Sequence, residues 1–108
     1  MKTEKSLLLS LFTLAIVVLI WGCTKSSTDT SSLYTPTTSD VTAKATLQEL
    51  QQGRTLYINN CNACHALYSP DSFTPAQWKS ILSTMAPKTS MGTADIQLVT
   101  KYVSRGNQ

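Results

Sequence analysis

Cys61-Asn62-Ala63-Cys64-His65 constrains this chain more than any other stretch. Two cysteines separated by two residues and followed at once by histidine form the C-x-x-C-H pattern of haem attachment. Two thiols three positions apart on a tight turn can reach the two vinyl groups on one edge of a porphyrin. The next residue then aims its imidazole at the iron from below the ring. A domain as small as this 108-residue chain allows has little apolar surface of its own, so it must fold around what is held there. The haem would be half the core.

Two other readings of the same spacing compete. A bare C-x-x-C also serves thioredoxin-like dithiols and half-sites for zinc. A structural zinc site wants four protein ligands, and beyond this run only Cys23 can add a thiolate, while His65 is the single histidine. A dithiol oxidoreductase needs a βαβ scaffold, and no alternating strand pattern is present to build one. One covalently bound haem c, held by Cys61 and Cys64 with His65 as proximal ligand, is therefore the expected cofactor.

The first third of the chain has a separate logic. Lys2 and Lys5 precede an almost wholly apolar run from Leu7 to Trp21, and Gly22-Cys23 follows. A basic n-region, an apolar h-region and a small residue before a cut describe a signal peptide. The run of fifteen residues is shorter than the roughly 20 that span a bilayer, although an uncleaved short anchor is the alternative. Ile20-Trp21-Gly22-Cys23 resembles a bacterial lipobox, in which the cysteine is lipidated and becomes the new N-terminus. That resemblance implies a signal peptide over 1–22, lipid on Cys23, and an exported, periplasm-facing protein anchored to a bacterial membrane. Export agrees with the haem, because c-type attachment takes place outside the cytoplasm. With Cys23 on lipid and Cys61 and Cys64 on haem, no thiol is left for a disulfide.

After Cys23 there are seven Lys and Arg against five Asp and Glu, an excess that two haem propionates would nearly cancel. No nucleic-acid groove or strongly basic membrane patch is expected from such a balance. Residues 24–42 are rich in Ser and Thr and too poor in apolar residues to offset the entropy of ordering, which predicts a flexible tether. A surface loop packed on the domain is the other reading. The folded domain is then expected over 43–108.

Within it the pattern predicts three helices. Leu47, Leu50, Gly53, Arg54 and Tyr57 follow three-and-four spacing over Val41 to about Asn60, with Asp40 or Thr42 as cap. Gly53 costs a helix interior about 1 kcal/mol relative to alanine, so close approach of another helix is its expected reason. Thr74-Pro75-Ala76-Gln77 has a cap, a first-turn proline and a capping-box glutamine, ahead of the stripe Trp78, Ile81, Leu82, Met85 and the terminator Pro87. A third start at Thr93-Ala94-Asp95 leads into Ile96, Val99, Tyr102 and Val103, with Gly106 as the expected C-cap. Phe73, Tyr68 and Leu67 join Trp78 and Ile81 as expected lining of the haem pocket. The fold class is all-α.

Gly53 and Tyr57 stand eight and four positions before Cys61. In this the chain resembles the class I c-type cytochromes, whose N-terminal helix carries a glycine and an aromatic at those distances. The likeness runs from about Leu47 to Val103, though this chain is shorter after His65 than typical members. It implies about three helices wrapped around one haem, with Gly53 and Tyr57 crossing the C-terminal helix. It also implies that a proline carbonyl accepts the second N–H of His65. Pro70 is the candidate, a plain turn residue being the other reading. Opposite His65 the soft thioether candidates are Met85 and Met91, against an open or lysine-ligated iron. Met85, seventeen residues before Tyr102, has the spacing that the resemblance favours. The implied function is one-electron transfer between a donor and an acceptor redox protein by a membrane-tethered carrier. No catalysis and no small-molecule substrate are expected. The alternative is a haem-based sensor with an open or displaceable sixth site.

Overall fold

A computed structural model describes residues 30–108 of the chain. The expected signal peptide over 1–22 and the expected lipidation site Cys23 lie outside the described residues. The described residues form an all-α fold of three helices: α1 (Leu47–Cys61), α2 (Pro75–Met85) and α3 (Thr93–Val103). Short 3-10 turns at Thr38–Asp40, Pro70–Ser72 and Ala86–Lys88 connect them. None of the described helices is long and apolar enough to cross a membrane.

The first helix starts later than the periodicity predicts. Its cap is Thr46, whose Oγ1 accepts from the Glu49 N–H at 3.2 Å while the Glu49 carboxylate accepts from the Thr46 N–H at 2.9 Å. Both expected caps are engaged elsewhere. The Asp40 carboxylate accepts from the Thr37 N–H at 2.7 Å in a capping box around the first 3-10 turn. Thr42 pairs with Ala45 in an isolated bridge and donates its hydroxyl to the Gly106 carbonyl at 3.2 Å. The second helix begins as read, with Thr74 as cap, Pro75 in the first turn and Gln77 closing the box.

α1 packs chiefly on α3, and Gly53 is the reason they can meet. A Cβ at Gly53 would lie 2.1 Å from the Leu98 carbonyl oxygen and 2.9 Å from the Tyr102 Cβ. One turn on, Tyr57 fills the gap beside this contact. Its ring sits 5.7 Å from Tyr102 and edge-on to Trp78 at 6.1 Å. Tyr57, Trp78, Leu82, Val99, Tyr102 and Val103 form one buried cluster, so all three helices share a core. A charged link closes the outside of the same crossing: Lys101 Nζ donates to Glu49 Oε1 at 2.5 Å. That bond and the Thr46 N–H hold the Glu49 carboxyl down to about 2.

The exit from α3 departs from expectation. The Gly106 N–H donates to the Lys101 carbonyl at 2.8 Å and the Arg105 N–H to the Tyr102 carbonyl at 3.1 Å, a Schellman pair. The left-handed position usually given to glycine is Arg105, at φ 50°, with Gly106 following at φ 70°. Arg105 is held there by an ion pair with Asp71 and by its guanidinium 4.0 Å above the Tyr34 ring. Gly106 is needed for space as well as for φ, because a Cβ would stand 2.7 Å from Thr42 Oγ1.

The Ser/Thr-rich stretch also differs from the free tether expected over 24–42. From residue 30 onward it lies against the helices. Leu33 is 5% exposed, Pro36 is buried, and the Tyr34 ring stacks on Tyr102 at 5.7 Å. A few apolar and aromatic side chains at the right places suffice to dock a segment whose average composition is polar.

Gly53→Ala should lower stability by about 2–3 kcal/mol, since the helices must separate to admit the methyl. The roughly 1 kcal/mol that alanine offers a helix interior would not offset this. Urea unfolding of the full chain checks it, and an unchanged or raised midpoint would contradict the close-approach account.

Candidate functional site

α1 ends at Cys61, and the chain turns at once through Asn62 to His65. The Cys61 side chain is half-buried and Cys64 is exposed. They border a cavity of about 480 Å³ that Trp78, Ile81, Leu82 and Met85 of α2 also line. Tyr57, Tyr68 and Phe73 supply aromatic lining, and Asn60, Lys88 and Thr89 add polar groups. The volume falls within the roughly 300–1,000 Å³ usual for cofactor and ligand pockets.

The wall is held by a relay of rings. His65 packs against Tyr68 at 5.6 Å, Tyr68 against Phe73 at 5.3 Å, and Phe73 edge-on to Trp78 at 5.1 Å. The Trp78 indole N–H donates to the Pro70 carbonyl at 2.8 Å, which fastens the loop after His65 to α2. From the other side the Tyr57 hydroxyl donates to the Tyr68 carbonyl at 2.9 Å and accepts the Tyr68 N–H at 3.1 Å. Burial pushes the Tyr57 hydroxyl above the ordinary tyrosine range, so it keeps its proton and remains a donor.

The expected histidine partner is different. His65 Nδ1 stands 2.7 Å from the Ala66 carbonyl oxygen, whereas the Pro70 carbonyl serves Trp78. A carbonyl can only accept, so Nδ1 carries the proton and Nε2 keeps the free lone pair that a metal would take. The short loop puts Pro70 in a 3-10 turn against α2.

The two methionines part company. Met85, half-buried at the end of α2, lines the cavity with Cys61, Cys64 and His65. Met91 packs against the aromatic core instead. Leu67 also belongs to that core packing, while Tyr68, Phe73, Trp78 and Ile81 line the cavity as expected. Asn60, Lys88 and Thr89 went unnoticed in the sequence, where neither periodicity nor a motif marks them. A charge next to a Pro in a turn has no signature until the turn is placed.

Two thiols, one imidazole and a thioether around an apolar cavity fit a haem. Among the described residues no three His, Cys, Asp or Glu side chains gather as a metal-ion cluster. Burial pushes the Cys61 thiol up.

Over 55 residues, 51% of this chain, the sequence is 35% identical to the cytochrome c-type protein TorY of Haemophilus influenzae. The chain is similar to part of a cytochrome c-type protein. It covers 15% of that relative's length. No family model and no solved structure matches the chain.

Tyr57→Phe removes the hydroxyl that pins Tyr68 and leaves two backbone groups without their partner. Stability should fall by about 1–3 kcal/mol. The Tyr68 amide should exchange with solvent at least tenfold faster, by NMR. An unchanged Tyr68 exchange rate would show that the loop is held by something else.

Proposed function

We propose that this protein is a c-type cytochrome that carries single electrons between redox proteins, as a carrier or accessory subunit rather than as a catalyst. The observation that carries the reading is the convergence of Cys61, Cys64, His65 and Met85 on one apolar cavity. The partial likeness to a cytochrome c-type protein supports it. In this reading Cys61 and Cys64 form thioether bonds to one haem, His65 Nε2 is the proximal ligand and Met85 the distal one. Bound haem supplies an iron that alternates between ferrous and ferric states.

The chain's own residues then do three things. His65, whose Nδ1–H is held by the Ala66 carbonyl, turns Nε2 to the iron. Such outer contacts orient a ligating ring and raise its basicity. Met85 offers a soft sulfur that favours the reduced state and raises the potential. Phe73, Trp78 and Leu82 keep water from the cavity wall, which limits rearrangement as charge changes. The N-terminal features extend the proposal: a signal peptide over 1–22 directs export, and lipid on Cys23 holds the protein to a bacterial membrane, facing the periplasm.

Haem should stay on the denatured, exported full chain through acid–acetone extraction, and should be lost when Cys61 and Cys64 are both changed to Ser. Haem that washes out of the wild type would overturn covalent attachment. For the distal ligand, Met85→Ala should abolish the weak far-red sulfur-to-iron band and open the reduced protein to carbon monoxide. It should also lower the potential by on the order of 100 mV, part of the ~0.8 V range that axial ligands control. Met91→Ala should leave all three nearly unchanged. The reverse pattern would assign Met91, and no band in the wild type would favour the sensor reading.

A further inference from the structure

We propose that residues 30–45 form a clasp that shortens the free link between lipid and domain, so that the protein serves redox partners held on its own membrane. The proposal rests on the lipidated-cytochrome reading above. A free segment over 24–42 would extend to about 65–70 Å and let the domain travel between distant partners. The structure removes most of that length.

The clasp begins at Thr30. Arg54 of α1 donates to the carbonyls of Thr30, at 3.4 Å, and Tyr34, at 3.1 Å. The Tyr102 hydroxyl donates to the same Tyr34 carbonyl at 2.8 Å, so one backbone oxygen is gripped from both α1 and α3. The Tyr34 ring stacks on Tyr102 and carries the Arg105 guanidinium 4.0 Å from its centre. Farther along, the Thr42–Ala45 bridge sits on the exit of α3, with Ala45 buried and Thr42 bound to Gly106. These contacts join the segment to both helices of the main crossing. The segment is part of the folded unit.

Between Cys23 and Thr30 there remain seven Cα-to-Cα steps, which span no more than about 25 Å whatever conformation they take. A folded unit of residues 30–108 has a radius of gyration of about 12 Å and is about 30 Å across. The leash is thus shorter than the body it holds. The domain can roll on the bilayer but cannot cross a compartment. Arg54, where the leash attaches, lies seven residues before Cys61, about 10 Å along the axis of α1. The haem-binding cavity stays close to the membrane surface as a result. Confinement of this kind raises the effective concentration of a partner on the same membrane and leaves remote ones out of reach.

The test uses the full lipidated, haem-loaded protein on phosphatidylethanolamine–phosphatidylglycerol vesicles containing a trace of headgroup-labelled fluorescent lipid. Flotation with the vesicles and the visible spectrum come first. Failure of either overturns the lipid or haem reading, and with it the basis of the leash. Given both, haem quenching of the dye reports the distance to the bilayer. The wild type should quench at least twofold more per bound protein than a variant with thirteen Gly and Ser residues inserted between Ser27 and Thr28. Equal quenching by the two would overturn the short leash. Amide exchange tests the clasp without lipid: the Leu33 and Thr42 N–H groups, bonded to Thr30 and Ala45 carbonyls, should be protected. Tyr34→Ala should speed exchange at Leu33 at least tenfold. Unprotected amides in the wild type, or no change in this variant, would overturn the clasp while leaving the lipidated cytochrome standing.

Discussion

Where α1 crosses α3, the Leu98 carbonyl occupies the space in which any side chain at position 53 would begin. Everything nearer the site inherits its position from that contact. With the two backbones this close, Tyr57 is forced into the angle between Tyr102 and Trp78. Its hydroxyl then reaches the backbone of Tyr68, and the ring of Tyr68 reaches His65. A packing constraint eight residues before Cys61 is thereby transmitted to the imidazole after Cys64. The wall of the cavity is a consequence of the helix crossing.

The core that results is thin on the cavity side. Fewer than eighty described residues build it, and domains of this size bury too little surface to be generously stable alone. The aromatic relay from His65 to Trp78 faces the cavity on one side and the shared core on the other. A flat apolar group seated in the cavity would bury the surface that His65, Tyr68 and Phe73 leave open, against a Trp78 already buried. In the proposed cytochrome, ligand binding and folding are therefore linked, and the haem would complete the core.

The same economy explains the N-terminal segment. Tyr34 covers Tyr102 of α3 while Leu33 is buried beside it in the chain, and Arg105 accepts a left-handed backbone because its guanidinium closes over Tyr34 and pairs with Asp71. An ordinary composition count treats this stretch as unable to order itself. Docked onto a preformed crossing, it needs only two apolar anchors and a backbone carbonyl with two donors.

Local chemistry was legible from the sequence wherever neighbours in the chain decide it. The C-x-x-C-H spacing, the Thr74–Gln77 capping box, the stripe from Trp78 to Met85 and the unusual glycine in α1 each carry their physical reason within a few residues. Three helices and an all-α fold followed from them. The tertiary structure decided what depends on residues far apart. Thr46 caps α1 because Asp40 and Thr42 are taken by Thr37 and by Gly106, sixty-four residues beyond Thr42. Pro70 serves Trp78 and leaves His65 to Ala66, since the short loop lays its turn on α2. Met85 lines the cavity and Met91 joins the core because the crossing of the helices orients α2, and periodicity within one helix contains no information about that angle.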